Sequence, residues 1–350
     1  MRSWLVTGGA GFIGANFVRL AARESVEPLV VLDALTYAGN LENIADLVDA
    51  GRIKFVRADI CDREVVAELF DRYRFERVIH FAAESHVDRS ILGPLPFIRT
   101  NIEGTAVLLE AARTCWGAQT QDKLFLHVST DEVYGSLLPS DPAFTEASPY
   151  RPSSPYSASK AAADHLARAW SQTFKLPVVV SNCSNNYGPL QFPEKLIPLM
   201  ILNAIEGREL PVYGDGGQVR DWLHVEDHCQ ALLVLLSRGR PGETYVVGGG
   251  CERTNLQVVN QICVAVDQLL GRPAGSSANR IRHVADRPGH DRRYAMNAAK
   301  LTAETGWKPQ RVLDKALPAL VAWYHEHGAW ADAIRSGEYR SFYEKLYGNR

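Results

Sequence analysis

The chain has 350 residues, 46% of them hydrophobic and 22% charged, enough to bury one large core or a large domain with a smaller partner. With 38 basic and 40 acidic residues the formal net charge is −2, which gives no pull toward nucleic acid or an anionic membrane. The ten histidines lack metal-ligand spacing and no basic run exceeds a few residues, so neither a metal site nor a nucleic-acid surface is expected.

Apolar runs rich in Val, Ile and Phe predict strands at Ser3–Thr7, Leu29–Asp33, Ile53–Asp59, Arg77–Ala82, Lys123–Thr130 and Pro177–Asn182. Helical patterns fall between them, at Gly11–Arg23, Arg63–Tyr73, Ile102–Cys115 and Ser157–Phe174. Crossovers of that length must pack on a sheet face, so the strands are expected to be parallel. The fold class that follows is α/β, a doubly wound Rossmann-type sheet with its ligand at the carboxyl ends of the strands. From about Gly188 the alternation stops, and Pro189, Pro193, Pro198 and Pro211 interrupt the chain. Helices are expected at Val225–Arg238, Leu256–Leu270 and Val312–His325, with short strands such as Glu243–Val247 between them. The expected division is therefore 1–187 and 188–350, the second a smaller mixed α/β lobe over the ligand edge, with some segments interleaved.

Cys61, Cys115, Cys183, Cys229, Cys251 and Cys263 form no C-x-x-C pair and are expected to be free, mostly buried thiols in a reducing compartment. The chain runs straight into its first strand, with no charged leader or apolar signal segment. No apolar stretch reaches the roughly 20 residues of a membrane helix. A cytoplasmic location is expected.

Thr7-Gly8-Gly9-Ala10-Gly11-Phe12-Ile13-Gly14 follows the first strand and opens the first helix. Gly9, Gly11 and Gly14 satisfy the dinucleotide spacing, and Gly8, Gly11 and Gly14 satisfy a G-x-x-G-x-x-G alternative. In either, no side chain keeps a pyrophosphate from the backbone N–H groups and the positive helix end. The second strand ends in Asp33, whose carboxylate can accept hydrogen bonds from ribose hydroxyls and would repel a 2′-phosphate. NAD is expected rather than NADP.

Tyr156-Ser157-Ala158-Ser159-Lys160 places a phenol and an ammonium four residues apart on one helix face. A free tyrosine has a pKa of about 10, so acting as a base near neutral pH requires roughly 4 kcal/mol of help, which a lysine and a nicotinamide cation can supply. Ser129-Thr130-Asp131-Glu132-Val133-Tyr134-Gly135 ends the fifth strand, where catalytic side chains collect. Thr130 offers a hydroxyl for a reacting sugar oxygen. The adjacent carboxyls of Asp131 and Glu132 are more than an alcohol oxidation requires. Once C4 of a hexose is a ketone, the C5 proton is acidified and the C6 hydroxyl lies β to the carbonyl. Elimination then needs a base at C5 and an acid at O6, and close carboxyls split their pKa values in that sense.

Along nearly its whole length the chain resembles the dTDP-glucose 4,6-dehydratases, members of the extended short-chain dehydrogenase/reductase group. The segments that carry the resemblance are Thr7–Gly14, Asp33–Leu41, Phe81–Ser90, Ser129–Gly135, Tyr156–Lys160, Asn182–Pro189, Pro193–Pro198, Arg220–Trp222 and Arg287–Asp291. The Thr-Asp-Glu triplet, Leu35-Thr36-Tyr37-Ala38-Gly39-Asn40-Leu41 and Pro193-Glu194-Lys195-Leu196-Ile197-Pro198 are the specific ones. The resemblance implies NAD contacts at Phe12, Ile13, Asp33, Ala34, Leu35, Thr36, Asp59, Ile60, Ala82, Ala83, Thr100, Tyr156, Lys160 and Asn186. It implies that Tyr156 is the base at the C4 hydroxyl, that Lys160 holds the nicotinamide ribose, and that Thr130 binds the sugar. Asp131 is then the acid at O6 and Glu132 the base at C5, with hydride returned to C6 so that no external reductant is consumed. The substrate is expected near Ser85, Thr130, Asn185, Lys195, Leu196, Pro211, Val212, Tyr213, Arg220, Asn255, Asp286, Arg287, Pro288, Gly289 and His290. Of these, Arg220 and the Arg287 region suit a diphosphate, and Tyr213 a nucleotide base. A homodimer is implied too, with its interface expected near Asn101–Cys115 and Ser157–Phe174.

Three other readings stay open. A nucleotide-sugar 4-epimerase needs the same cofactor and tyrosine, but generally carries small or apolar residues where Asp131 and Glu132 stand. A dehydratase of UDP- or CDP-glucose shares every catalytic motif. A nucleotide-sensing regulator on this fold keeps the dinucleotide site but usually loses the tyrosine or the lysine, and both are present here.

Overall fold

The computed structural model describes residues 3–24, 27–286 and 289–335. Six strands alternate with helices through the first half: β1 Trp4–Thr7, β2 Leu29–Asp33, β3 Ile53–Arg57, β4 Arg77–His80, β5 Leu124–Thr130 and β6 Val178–Cys183. Six more follow, β7 Asn185–Tyr187, β8 Leu210–Tyr213, β9 Val219–His224, β10 Thr244–Val247, β11 Glu252–Thr254 and β12 Ile281–Val284. The large sheet is parallel throughout, in the order β10-β6-β5-β4-β1-β2-β3. Strand order reverses its progression between β1 and β4, and the clefts of such sheets open at that switch point.

Buried runs explain why these segments are strands. Every residue of β2 and of β5 is buried, the pattern of a parallel strand covered on both faces. One cover is the Phe12–Glu24 helix with the Val225–Arg238 helix, where Phe17 and Val18 join one apolar core with Leu232 and Leu235. The other cover comprises the Arg63–Tyr73, Thr105–Trp116 and Pro155–Phe174 helices, packed around Phe70, Leu108, Phe125 and Ala167. A separate core in the second half joins the Leu196–Glu206, Asn255–Leu269 and Leu313–Glu326 helices.

Two features depart from the expected pattern. The segment Thr244–Val247 is the seventh strand of the large sheet, parallel to β6, and so extends the first layer system rather than the lobe. Its three buried residues Tyr245, Val246 and Val247 suit a position covered on both sides. The helix expected from Ile102 begins as a π-helical turn over Ile98–Gly104 and becomes α-helical only at Thr105. A side chain on Gly104 would stand 2.4 Å from Ile60 Cδ1, so glycine lets that turn press against the loop after β3. The turn also aims Asn101 back at the sheet edge, where its side chain donates to Ser159 Oγ and to the Glu84 carbonyl. Among the described residues no helix is long and apolar enough to cross a membrane.

Candidate active site

The turn after β1 is built around glycine. Gly8 has φ +68°, and a Cβ there would fall 2.6 Å from the Ala82 nitrogen; one on Gly14 would fall 2.1 Å from the Gly8 carbonyl oxygen. The turn can therefore close only without side chains, which leaves the end of the Phe12–Glu24 helix open to an anion. Asp33 braces the turn from β2. Its Oδ2 accepts from Ala10 N at 2.9 Å and its Oδ1 from Leu35 N at 2.8 Å. Burial raises the Asp33 pKa against those two bonds.

One cleft over the carboxyl ends of β1, β2, β4 and β5 is lined by Gly8, Gly11, Phe12, Ile13, Gly14, Asp33, Ala34, Thr36, Asp59, Ile60, Ala82, Ala83, Thr100, Tyr156, Lys160 and Asn186. Of the NAD contacts that the resemblance implies, Leu35 alone is outside that lining, and its backbone serves Asp33 instead; Gly9 of the glycine turn is outside it as well.

The same cleft receives the end of β5. Thr130 caps the 3-10 turn Asp131–Tyr134, accepting from Glu132 N at 3.3 Å while donating to Asp131 Oδ1 at 3.1 Å. Asp131 is 1% exposed, and its Oδ2 has no hydrogen-bond partner among the described residues. Burial first, then the neighbouring Glu132, lifts its carboxyl well above the ordinary range, which favours its protonated form.

Tyr156 and Lys160 stand one turn apart near the start of the Pro155–Phe174 helix. Ser154 fixes that start with a capping box, its Oγ accepting from Ser157 N while Ser157 Oγ accepts from Ser154 N. Pro155 takes the first helical position, where a missing N–H costs nothing. Lys160 Nζ donates to the Val128 carbonyl at 2.9 Å, tying the helix to β5. Burial lowers the Lys160 pKa and Asp164 works against that. Burial raises the Tyr156 pKa well above 10, Glu132 adds to the rise, and a Thr130 hydrogen bond opposes it.

Ser85, Asn185 and Lys195 line the cleft beside Thr130, and Lys195 Nζ donates to the Ser85 carbonyl at 3.1 Å. Leu196 is the first residue of the helix that Lys195 caps. The other expected substrate residues form a second group on the lobe, away from the lining of that cleft. Pro211, Val212 and Tyr213 lie on β8, Asn255 opens the Asn255–Leu269 helix, and Asp286, Gly289 and His290 follow β12. His290 Nδ1 lies 2.6 Å from Asp286 Oδ1, Gln218 donates to Asp286 Oδ2 at 2.9 Å, and the Tyr213 and His290 rings meet edge to face. Arg287 and Pro288 lie outside the described residues. Two links join the groups. Tyr213 OH donates to Asp88 at 3.4 Å, and Arg220, stacked 4.4 Å over Tyr294, is close enough to lower the Asp131 pKa.

The structure adds residues that the sequence did not single out. Glu84, Gln191, Phe192 and Glu194 also line the cleft. Glu194 pairs with His86 at 3.6 Å and Arg89 at 3.5 Å, Arg89 lies 3.9 Å over the Tyr37 ring, and burial pushes Glu194 up to about 7. Glu194 belongs to the Pro193–Pro198 segment that carries the resemblance, but nothing in its local sequence marks it as buried.

The comparisons follow this geometry. The family described as GDP-mannose 4,6 dehydratase matches residues 5–319. The dTDP-glucose 4,6-dehydratase of Salmonella typhimurium is 51% identical over 358 residues, covering 99% of each chain. That of Neisseria gonorrhoeae is 56% identical over 327 residues, covering 91% of this chain and 94% of its own. Among solved structures, the dTDP-glucose 4,6-dehydratase of Streptomyces venezuelae with NAD bound superimposes with a TM-score of 0.87 at 44% identity, over 95% of this chain and 99% of that one. The chain belongs to the GDP-mannose 4,6-dehydratase family and, within it, to the dTDP-glucose 4,6-dehydratases.

Proposed function

We propose that the chain is an NAD-dependent hydro-lyase that converts dTDP-glucose to dTDP-4-dehydro-6-deoxyglucose and water. The observation that carries this reading is Asp131, buried beside Glu132 with its carboxyl biased toward the acid form, on the strand end that faces Tyr156 and Lys160. An oxidoreductase or epimerase has no use for a carboxylic acid there.

The residues of the cleft fit NAD. The turn closes only with glycine at Gly8 and Gly14, both of which line the cleft, and the buried Asp33 carboxylate faces the cleft as a ribose acceptor. Phe12, Ile13, Ala34, Thr36, Asp59, Ile60, Ala82, Ala83, Thr100 and Asn186 would complete its bed, with Lys160 at the nicotinamide ribose. When bound, NAD supplies the hydride acceptor for C4 and returns that hydride to C6. Tyr156 takes the proton of the C4 hydroxyl. Its burial and Glu132 oppose the phenolate, so Lys160 and the cation of the cofactor must outweigh them. Thr130 orients O4. With C4 a carbonyl, Glu132 removes the C5 proton, and Asp131 gives its proton to O6 so that water departs rather than hydroxide. Glu132 then returns a proton to C5 as C6 is reduced, and the proton that Tyr156 took from O4 is released to solvent while Asp131 regains one, which restores the starting state.

Ser85, Asn185, Lys195 and Leu196 would hold the sugar end, and Arg220 lies where it can meet a diphosphate while reaching Asp131. Tyr213 would face the base, the Arg287 region would join Arg220 at the diphosphate, and Pro211, Val212, Asn255, Asp286, Pro288, Gly289 and His290 would line the rest of the nucleotide. We take 1–187 as the NAD-binding domain and 188–350 as the nucleotide-sugar lobe, with the Val225–Arg238 helix and β10 threaded back into the first. A cytoplasmic homodimer paired through the Thr105–Trp116 and Pro155–Phe174 helices completes the proposal; Ala106, Ala111 and Trp170 line a groove on that side.

The test is incubation with dTDP-glucose in heavy water without added reductant, followed by mass spectrometry. Loss of water with one solvent deuteron at C5 is the expected product. Unchanged mass with an inverted C4 would make the chain an epimerase instead.

A further inference from the structure

A carboxylate deep in the fold stands outside that mechanism. Asp164 lies one helical turn beyond Lys160 and is fully buried. An ionised carboxylate in such a place is costly unless its oxygens are met by donors. Here three elements supply them. His127 Nε2 from β5 lies 3.0 Å from Oδ1, while Tyr150 OH at 2.7 Å and Asn182 Nδ2 from β6 at 2.9 Å both donate to Oδ2. Burial alone would raise the Asp164 pKa, but the His127 bond, the Lys160 charge and the Tyr150 bond hold it at about 2.

The partners lead directly to the reacting end of the cleft. The Asn182 amide has two hydrogens; one meets Asp164, and the other meets the Thr130 carbonyl at 3.2 Å. The first residue of the Thr130-Asp131-Glu132 turn is thus hung from the helix that carries Tyr156 and Lys160. On that helix Asp164 is the foremost group opposing the loss of the Lys160 proton, with Cys183 a lesser one. The remaining groups around the pair are the neutral rings of His80 and His127, the phenols of Tyr134 and Tyr150, and Arg168, which donates to Tyr150 OH. None of them supplies an alternative negative charge.

We propose that Asp164 is a positioning residue for this reaction: it holds Thr130 through Asn182, and it is the buried counter-charge of Lys160. The inference rests on the proposed function above. Its substitution should therefore displace the pH profile of C4 oxidation, which a merely structural residue would not do.

The experiment uses the NAD-loaded enzyme, dTDP-glucose and rapid mixing, following the absorbance of reduced nicotinamide as a function of pH. In Asp164→Asn the alkaline limb of the oxidation rate should move down by about one pH unit, because Lys160 loses its proton more readily. A folded variant with its alkaline limb unmoved would overturn the proposal. Where that variant does not fold, Asn182→Ala keeps the charge and cuts the tie to Thr130. Its alkaline limb should stay in place, while decay of reduced nicotinamide slows about tenfold relative to its formation. A ratio equal to that of the parent overturns the proposal. A parent enzyme that retains NAD but forms neither reduced nicotinamide nor product overturns the proposed function, and this inference with it.

Discussion

Two carboxyls one residue apart are assigned opposite tasks, and their surroundings supply the reason. Asp131 points into the protein at 1% exposure with one oxygen unmet, whereas Glu132 is half-buried at the cleft wall. The fold thereby biases the first toward its acid form, in the manner of paired acids whose environments push them apart. In Asp131→Asn the shape is retained and the transferable proton is lost. Elimination should slow by about 10²- to 10⁴-fold, the range of general acid catalysis, while oxidation at C4 proceeds near the parent rate. Rapid mixing would then show reduced nicotinamide accumulating from dTDP-glucose instead of passing through. If both steps fall together, Asp131 shapes the site and does not serve as its acid.

The Pro155–Phe174 helix brings the tyrosine and lysine to β5, and its first turn decides where they stand. Tyr156 is the second helical residue, so fraying at Ser154 would move the phenol directly. Ser154→Ala removes the cap at a cost of about 1 kcal/mol, and Ser154→Thr keeps a capping hydroxyl. The alanine variant should lower kcat with little change in KM and unfold at lower urea; the threonine variant should match the parent in both measurements. An alanine variant as active and as stable as the parent would place the control of Tyr156 elsewhere. This helix was legible in sequence because an apolar face and Y-x-x-x-K agree on its period. The strands were legible because buried parallel strands are unbroken runs of Val, Ile and Leu. The π turn at Ile98–Gly104 was not, since it depends on Ile60 from another element. Nor was the place of β10, because Tyr245-Val246-Val247 would look the same in either sheet. The dinucleotide and catalytic residues carry local motifs and converge on one cleft. Asp164 lies outside every motif, and Glu194, although within the Pro193–Pro198 segment, has no local sign of burial; long-range packing buries both side chains.

The two halves of the molecule meet at the cleft through contacts far apart in sequence. Trp330 Nε1, on the Gly328–Arg335 helix, donates to Asn43, whose amide donates to the Ala10 carbonyl of the glycine turn. Glu194 lies at the same seam, between the lobe and the His86–Arg89 segment after β4. Its carboxyl is raised from 4.5 to about 7, burial being the main cause. Such a shift couples folding to pH. Below about 4.5 the folded and unfolded chains both hold the proton, and Glu194 imposes no penalty. As pH rises from there to 7 the unfolded chain releases the proton while the folded chain retains it, so folding is progressively disfavoured. Above 7 the loss is complete, roughly 3 kcal/mol at most for a shift of this size. The buried His80, His127 and His228, all lowered by burial, titrate in the opposite sense, so the parent's own profile sums both effects. Glu194→Gln mimics the protonated form and isolates one of them. Urea unfolding of parent and variant, both saturated with NAD, should show the variant gaining on the parent as pH rises through that window, then holding its gain. A difference that stays flat from about pH 4 to about pH 8 would mean that His86 and Arg89 keep Glu194 ionised, and that the seam is held by charge rather than by a neutral acid.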